Sequence, residues 1–179
     1  ANLDNRKTIR ILEENLETCR NVFTDFYPIK QPLTAVSVCR IFQSRDEYQT
    51  YVGAGLEWSA GMWVSLRKEL VVSPMDWGNL QKQREMLVNV VYHEGFHQYI
   101  YFATGETNTA IWFTEGTATF FEGIDFKAKG RYDINHTFRQ GEIEKLVESG
   151  FPPVENMLKM TPGEFVGGNR GQNYAMAWA

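Results

Sequence analysis

His93 and His97 stand four residues apart with Glu94 immediately after the first of them, and this is the spacing that a metal site on a helix requires. A helix advances about 100° per residue, so the two imidazoles leave one face within roughly 40° of each other and can share one ion. Zinc takes neutral imidazole nitrogens readily, and water bound to it has a pKa near 7, low enough for a neighbouring carboxylate such as Glu94 to remove its proton. A pair of ordinary helix histidines is the alternative. Against it, Glu94 is the only formally charged side chain between Met86 and Gly105. That makes the helix apolar nearly all round and predicts its burial, where a lone carboxylate is costly unless it is paired or near a metal.

The elements around this stretch must bring a third ligand. The helical pattern runs from Asn79 to about Ala103, and Thr104-Gly105 stops it. From His97 to Ala103 the chain climbs roughly 9 Å at 1.5 Å per residue, and the loop from Gly105 to about Ala110 is long enough to bring it back. A second helix starting between Thr109 and Thr114 would carry Glu115 in its first turns, able to supply the third ligand. Glu122 falls within about 20° of Glu115 on the same face. It could orient a ligand histidine from outside the metal shell, or serve as a surface or helix-pairing carboxylate.

His93-Glu94-x-x-His97, followed by Trp112-Phe113-Thr114-Glu115-Gly116-Thr117-Ala118 with seventeen residues between His97 and Glu115, resembles the gluzincin zinc metallopeptidases. The likeness is to the peptidase MA-like group and the aminopeptidase N family, whose second motif is a Trp-Leu-x-Glu-Gly-x-Ala segment followed by aromatic residues and a Glu, here Phe120, Phe121 and Glu122. The resemblance covers about residues 60 to 179. It implies His93, His97 and Glu115 as zinc ligands, Glu94 as general base and Zn2+ as cofactor. It also implies that the edge strand at Gly61 to Leu66 receives the substrate backbone by strand addition, with Trp63 either on a substrate side chain or in the core. A further implication concerns Tyr174, 59 residues beyond Glu115, whose hydroxyl would donate to the tetrahedral oxyanion; the alternative is a helix-packing tyrosine. The Gly-x-Met-Glu-Asn segment of aminopeptidase N relatives is replaced by Ala60-Gly61-Met62-Trp63, which leaves endopeptidase and aminopeptidase action open. Thr119 stands where thermolysin-like enzymes have an Asp.

The remainder of the chain fits one α+β domain. Its 179 residues, 43% hydrophobic and 22% charged, suffice for a sizeable core. No apolar run approaches the roughly 20 residues of a membrane span. A net charge of −4 without a clustered basic face argues against a nucleic-acid partner, and Lys127, Lys129 and Arg131 read as a solvated turn. Residues 1 to 75 are expected to form a helix and a small mixed or antiparallel sheet, and residues 76 to 179 a helical metal-binding half. Ile9, Leu12, Leu16, Cys19, Phe23 and Phe26 recur at helical steps after Asp4 as cap. Leu33 to Phe42 reads as a strand, Ser44-Arg45-Asp46-Glu47 as a capping box opening a short helix that ends at Gly53, and Gly61 to Leu66 and Glu69 to Val72 as strands turning at Arg67-Lys68. Helices are expected around Gln140 to Glu148, after Thr161-Pro162-Gly163-Glu164 and over Gly171 to Ala179.

Cys19 and Cys39 are both placed on inward faces, where they could pair in an oxidising compartment or remain two buried thiols. A secreted or periplasmic location is preferred over a cytoplasmic one. Asn135-His136-Thr137 fits a glycosylation acceptor, which counts only on a eukaryotic secretory route, and His136 reads as a surface residue. The chain opens at Ala1 without a methionine and closes inside a helix with no cap, so a processed or trimmed form that natively continues past Ala179 is expected. The sequence thus points to zinc-dependent hydrolysis of a peptide or protein substrate. The rival is a non-catalytic zinc-binding or protein-binding module on the same fold. Oligomeric state is open.

Overall fold

The structure is a computed structural model that describes residues 3–30, 32–36, 38–56, 58–73, 80–127, 131–135 and 139–179. Asn79, Lys129, His136 and Thr137, named above, lie outside them. Among the described residues eight helices and five strands make an α+β fold, divided into two compact units, Ala1–Glu106 and Thr107–Ala179. No helix among them is long and apolar enough to cross a membrane.

In the first unit, α1 (Leu3–Phe26) already includes Asp4, which lies within the helix and not ahead of it as expected of a cap. Its packed stripe is Leu12, Cys19, Val22 and Phe23, all buried, whereas Ile9 and Phe26 at the ends of the expected stripe are exposed. The stripe meets α3 (Leu80–Ala103): Phe23 lies edge-on to Phe96 with centroids 5.5 Å apart, and Tyr27 and Tyr99 extend the cluster. Tyr99 Oη ties the end of α1 down by donating to the Tyr27 carbonyl at 2.6 Å.

Between them in sequence come β1 (Val38–Ile41), α2 (Arg45–Val52), β2 (Gly61–Val64) and β3 (Glu69–Val72). The sheet is mixed, in the order β1-β3-β2, with β1 parallel and β2 antiparallel to the central strand. The strand expected over Leu33 to Phe42 is shorter because β3 offers only four partners, in register from Val38↔Glu69 to Ile41↔Val72; Leu33 to Val36 fall before that register, and the Leu33 carbonyl accepts from Arg20 Nη2 at 2.6 Å instead. Likewise β2 ends at Val64, and residues 65–68 form the turn, with Arg67 N–H donating to the Val64 carbonyl and Lys68 at φ 53°. The α2 capping box is complete: Ser44 Oγ accepts from Glu47 N–H, and the Glu47 carboxylate accepts from Ser44 N–H. Gly53 at φ 87° ends that helix.

A core of Leu12, Leu70, Val72, Leu87 and Val91 joins the sheet to α3. That helix ends in a Schellman motif, with Gly105 at φ 74° donating to the Phe102 carbonyl and Glu106 to that of Tyr101. Cys19 and Cys39 are separate thiols, Cys19 buried and Cys39 exposed. Cys39 shares the core face of the sheet with its partner Leu70 and with Ile41, as expected, but is left exposed because β1 is an edge strand. Burial pushes the Cys19 thiol well above its ordinary range, which leaves it inert.

The second unit contains α4 (Ile111–Phe121), the hairpin of β4 (Ile124–Phe126) and β5 (Tyr132–Ile134), α5 (Gln140–Ser149), α6 (Val154–Leu158), α7 (Pro162–Gly167) and α8 (Arg170–Trp178). Thr161 and Glu164 close the expected capping box of α7. The core of this unit is Leu146, Met157, Phe165, Ala175 and Met176, with Trp112 and Tyr174 packed against it.

Candidate metal centre

Along α3 burial alternates in pairs: Val91 and Tyr92 are buried, His93 and Glu94 half-buried, Gly95 and Phe96 buried, His97 and Gln98 half-buried, Tyr99 and Ile100 buried. The pattern corrects the expectation of a helix covered on all sides. Its apolar face is turned to α1 and the sheet, and His93, Glu94, His97 and Gln98 share the partly open face. The imidazole centroids of His93 and His97 are 4.9 Å apart, as the four-residue spacing requires.

Glu115 stands in the second turn of α4, which begins at Ile111. Residues around it on this helix, Thr114, Gly116, Ala118 and Thr119, are buried, and Glu115 itself is 9% exposed. A carboxylate so withdrawn from water requires a cation or hydrogen-bond donors. His93, His97 and Glu115 each offer a ligand atom, and these atoms all lie within 4.8 Å of one another, a cluster that could hold a metal ion. Zinc bonds of about 2.1 Å at tetrahedral angles separate ligand atoms by on the order of 3.4 Å. Two imidazole nitrogens and one carboxylate oxygen are a donor set that suits such an ion. A calcium or magnesium site would be built from oxygens.

Glu94 is not one of the three. Its Oε2 accepts a hydrogen bond from the backbone N–H of Trp63 on β2, at 2.7 Å. The edge strand thereby takes hold of the carboxylate beside His93, a contact that sequence reasoning missed; Gly61, a glycine inside a strand pattern, was the available signal of close backbone approach. Burial holds the Tyr48 hydroxyl above the ordinary tyrosine range; the hydrogen bond with Ser59 opposes this and the charge of Glu94 adds to it. Tyr48 is fixed there by a 2.6 Å hydrogen bond to Ser59 Oγ.

The other candidates fall as follows. Trp63 is half-buried, its ring tilted on Tyr101 at 5.9 Å and edge-on to Phe102 at 5.8 Å, with the indole Nε1 buried and without a hydrogen-bond partner among the described residues. Glu122, next after α4, accepts from Arg139 Nη2 at 3.2 Å, and Arg139 Nη1 also donates to Glu142. Tyr174 on α8 is half-buried with its ring edge-on to Phe165, centroids 5.2 Å apart. Thr119 is fully buried, and its hydroxyl has no hydrogen-bond partner among the described residues.

No family model matches the sequence, and neither a curated protein nor a solved structure matches it.

Proposed function

We propose that this chain is a zinc-dependent peptide hydrolase of the gluzincin type. The observation that carries the reading is the group His93, His97 and Glu115, three donors of the right kind with their ligand atoms within 4.8 Å, joined to a carboxylate, Glu94, that lies next to the first ligand and outside the group. A structural zinc has four protein ligands and needs no base. Three ligands and an adjacent base are what a hydrolytic site needs.

Zinc in such a donor set supplies an acidified water and Lewis-acid polarisation of a carbonyl. The remaining work belongs to the chain. Glu94 takes the proton of the attacking water and later passes it to the leaving amine. The Trp63 N–H, which already donates to Glu94, keeps that carboxylate turned to one position. On β2 only Gly61–Val64 is strand, so the segment open to an extended substrate backbone is shorter than Gly61 to Leu66, and one of its outward donors is already engaged. The Tyr174 hydroxyl donates to the oxyanion, by analogy with the gluzincin pattern.

Metal analysis of the purified protein, with a peptide-library cleavage assay run with and without chelator, tests the proposal. One zinc per chain and cleavage abolished by chelator are expected. Zinc-free protein with no chelator-sensitive cleavage would overturn it in favour of a binding module.

A further inference from the structure

We infer that Gly61 and Trp63 form a backbone seat on β2 that fixes the Glu94 carboxylate, Gly61 by having no side chain and Trp63 by donating its amide.

The alternation of the β2–β3 ladder sets up the donor. Ser73 N–H donates to the Ala60 carbonyl at 2.8 Å, and Met62 and Val64 follow Ala60 at the two-residue period of an antiparallel pair, opposite Val71 and Glu69. Gly61 and Trp63 are therefore the residues whose backbone groups face away from β3. Their partners agree, since the Val72 carbonyl opposite Gly61 is turned to β1 and accepts from Phe42 N–H at 3.1 Å. An outward N–H on an edge strand ordinarily faces water. That of Trp63 instead meets Glu94 Oε2 at 2.7 Å.

Gly61 sets how near the strand can come. A β-carbon there would lie 2.6 Å from Val90 Cγ1, 3.0 Å from the Val71 carbonyl oxygen and 3.5 Å from Glu94 Cγ. Val90 is β-branched and sits on α3 one turn before Glu94, so it cannot swing clear at low cost. Any side chain at position 61 would lift β2 from α3 at the level of Glu94 and lengthen the Trp63–Glu94 hydrogen bond. Neither residue need touch substrate for this; they act through Glu94, and only the catalytic consequence rests on the peptidase reading above.

The test has two readouts on the full chain. In amide hydrogen exchange followed by NMR, the Trp63 amide should be protected in the wild type. Glu94→Ala should speed its exchange at least about tenfold, while the Met62 and Val64 amides, bonded to β3, stay as slow as before. Gly61→Ala should speed it similarly, and Gly61→Ala combined with Val90→Ala, which removes the 2.6 Å clash and leaves only the 3.0 Å approach to the Val71 carbonyl oxygen, should restore part of the protection. In kinetics on a fluorogenic peptide cleaved by the wild type, Gly61→Ala should lower kcat about 100-fold with KM and zinc content held, and the double variant should recover part of it. Equal Trp63 exchange in wild type and Glu94→Ala would overturn the seat, even if Gly61→Ala fails to fold. Wild-type kcat in a folded Gly61→Ala protein would overturn its positioning role. A wild type with no zinc-dependent cleavage would instead refute the peptidase reading, and the exchange pattern would still decide whether the seat exists.

Discussion

Gly116 and Ala177 meet backbone to backbone: a β-carbon on Gly116 would stand 2.0 Å from the Ala177 carbonyl oxygen and 2.6 Å from its carbon. This contact brings α8 against α4 one residue after the proposed ligand Glu115, and a carbonyl inside a helix cannot yield as a flexible side chain would. Alanine is the better helix former by about 1 kcal/mol, yet forcing a methyl group into a closed contact costs about 1–3 kcal/mol or more. Gly116→Ala is therefore expected to lower stability in urea unfolding. It should also lower zinc occupancy, because the helix that carries Glu115 must shift. An unchanged urea midpoint would show that α8 can move away freely.

The central strand carries an acid-sensitive tie. The Glu69 carboxylate accepts from Arg40 Nη2 at 2.9 Å and from the Tyr51 hydroxyl, and these hydrogen bonds, first that of Arg40, hold its pKa below the ordinary carboxylate value. Because the folded pKa is the lower one, the contribution is complete above the unfolded pKa of about 4.3 and is lost as pH falls through the folded value. Urea midpoints of wild type and Glu69→Gln should thus differ at pH 6 and converge at still lower pH than an unperturbed glutamate would require. Midpoints that differ equally at every pH would contradict the assignment.

His93 and His97 were legible because their chemistry depends on a local period of four, and Glu115 because helix rise and loop reach constrain where the chain can return. The capping boxes at Ser44 and Thr161 were legible for the same reason: each is a four-residue device. What escaped was set by tertiary neighbours. The strand stops short of Leu33 because β3 has four residues to offer, and Cys39, although on the core face, is exposed because β1 lies at the sheet edge. The β4–β5 hairpin escaped because each strand is three residues with an exposed Asp at its centre, Asp125 and Asp133, too short for a hydrophobic alternation to register. The donor to Glu94 is a backbone N–H, which no side-chain pattern encodes.

Tyr174 separates packing from chemistry by a single atom. Its ring contact with Phe165 survives Tyr174→Phe, so the variant should fold and keep its zinc. If the hydroxyl donates to the oxyanion, kcat should fall about 100-fold or more with little change in KM, the effect of deleting one such donor. Steady-state kinetics at matched zinc content makes the measurement. Wild-type kcat would leave Tyr174 a packing residue.

Turnover by Glu94→Gln at full zinc occupancy reports directly on whether Glu94 is the general base. Gln keeps the size of the side chain and an oxygen to accept from the Trp63 N–H, but it cannot take a proton. The proposed ligands His93, His97 and Glu115 are untouched, so zinc should remain at one per chain while kcat falls at least about 1,000-fold. Wild-type turnover in zinc-loaded Glu94→Gln would contradict the account.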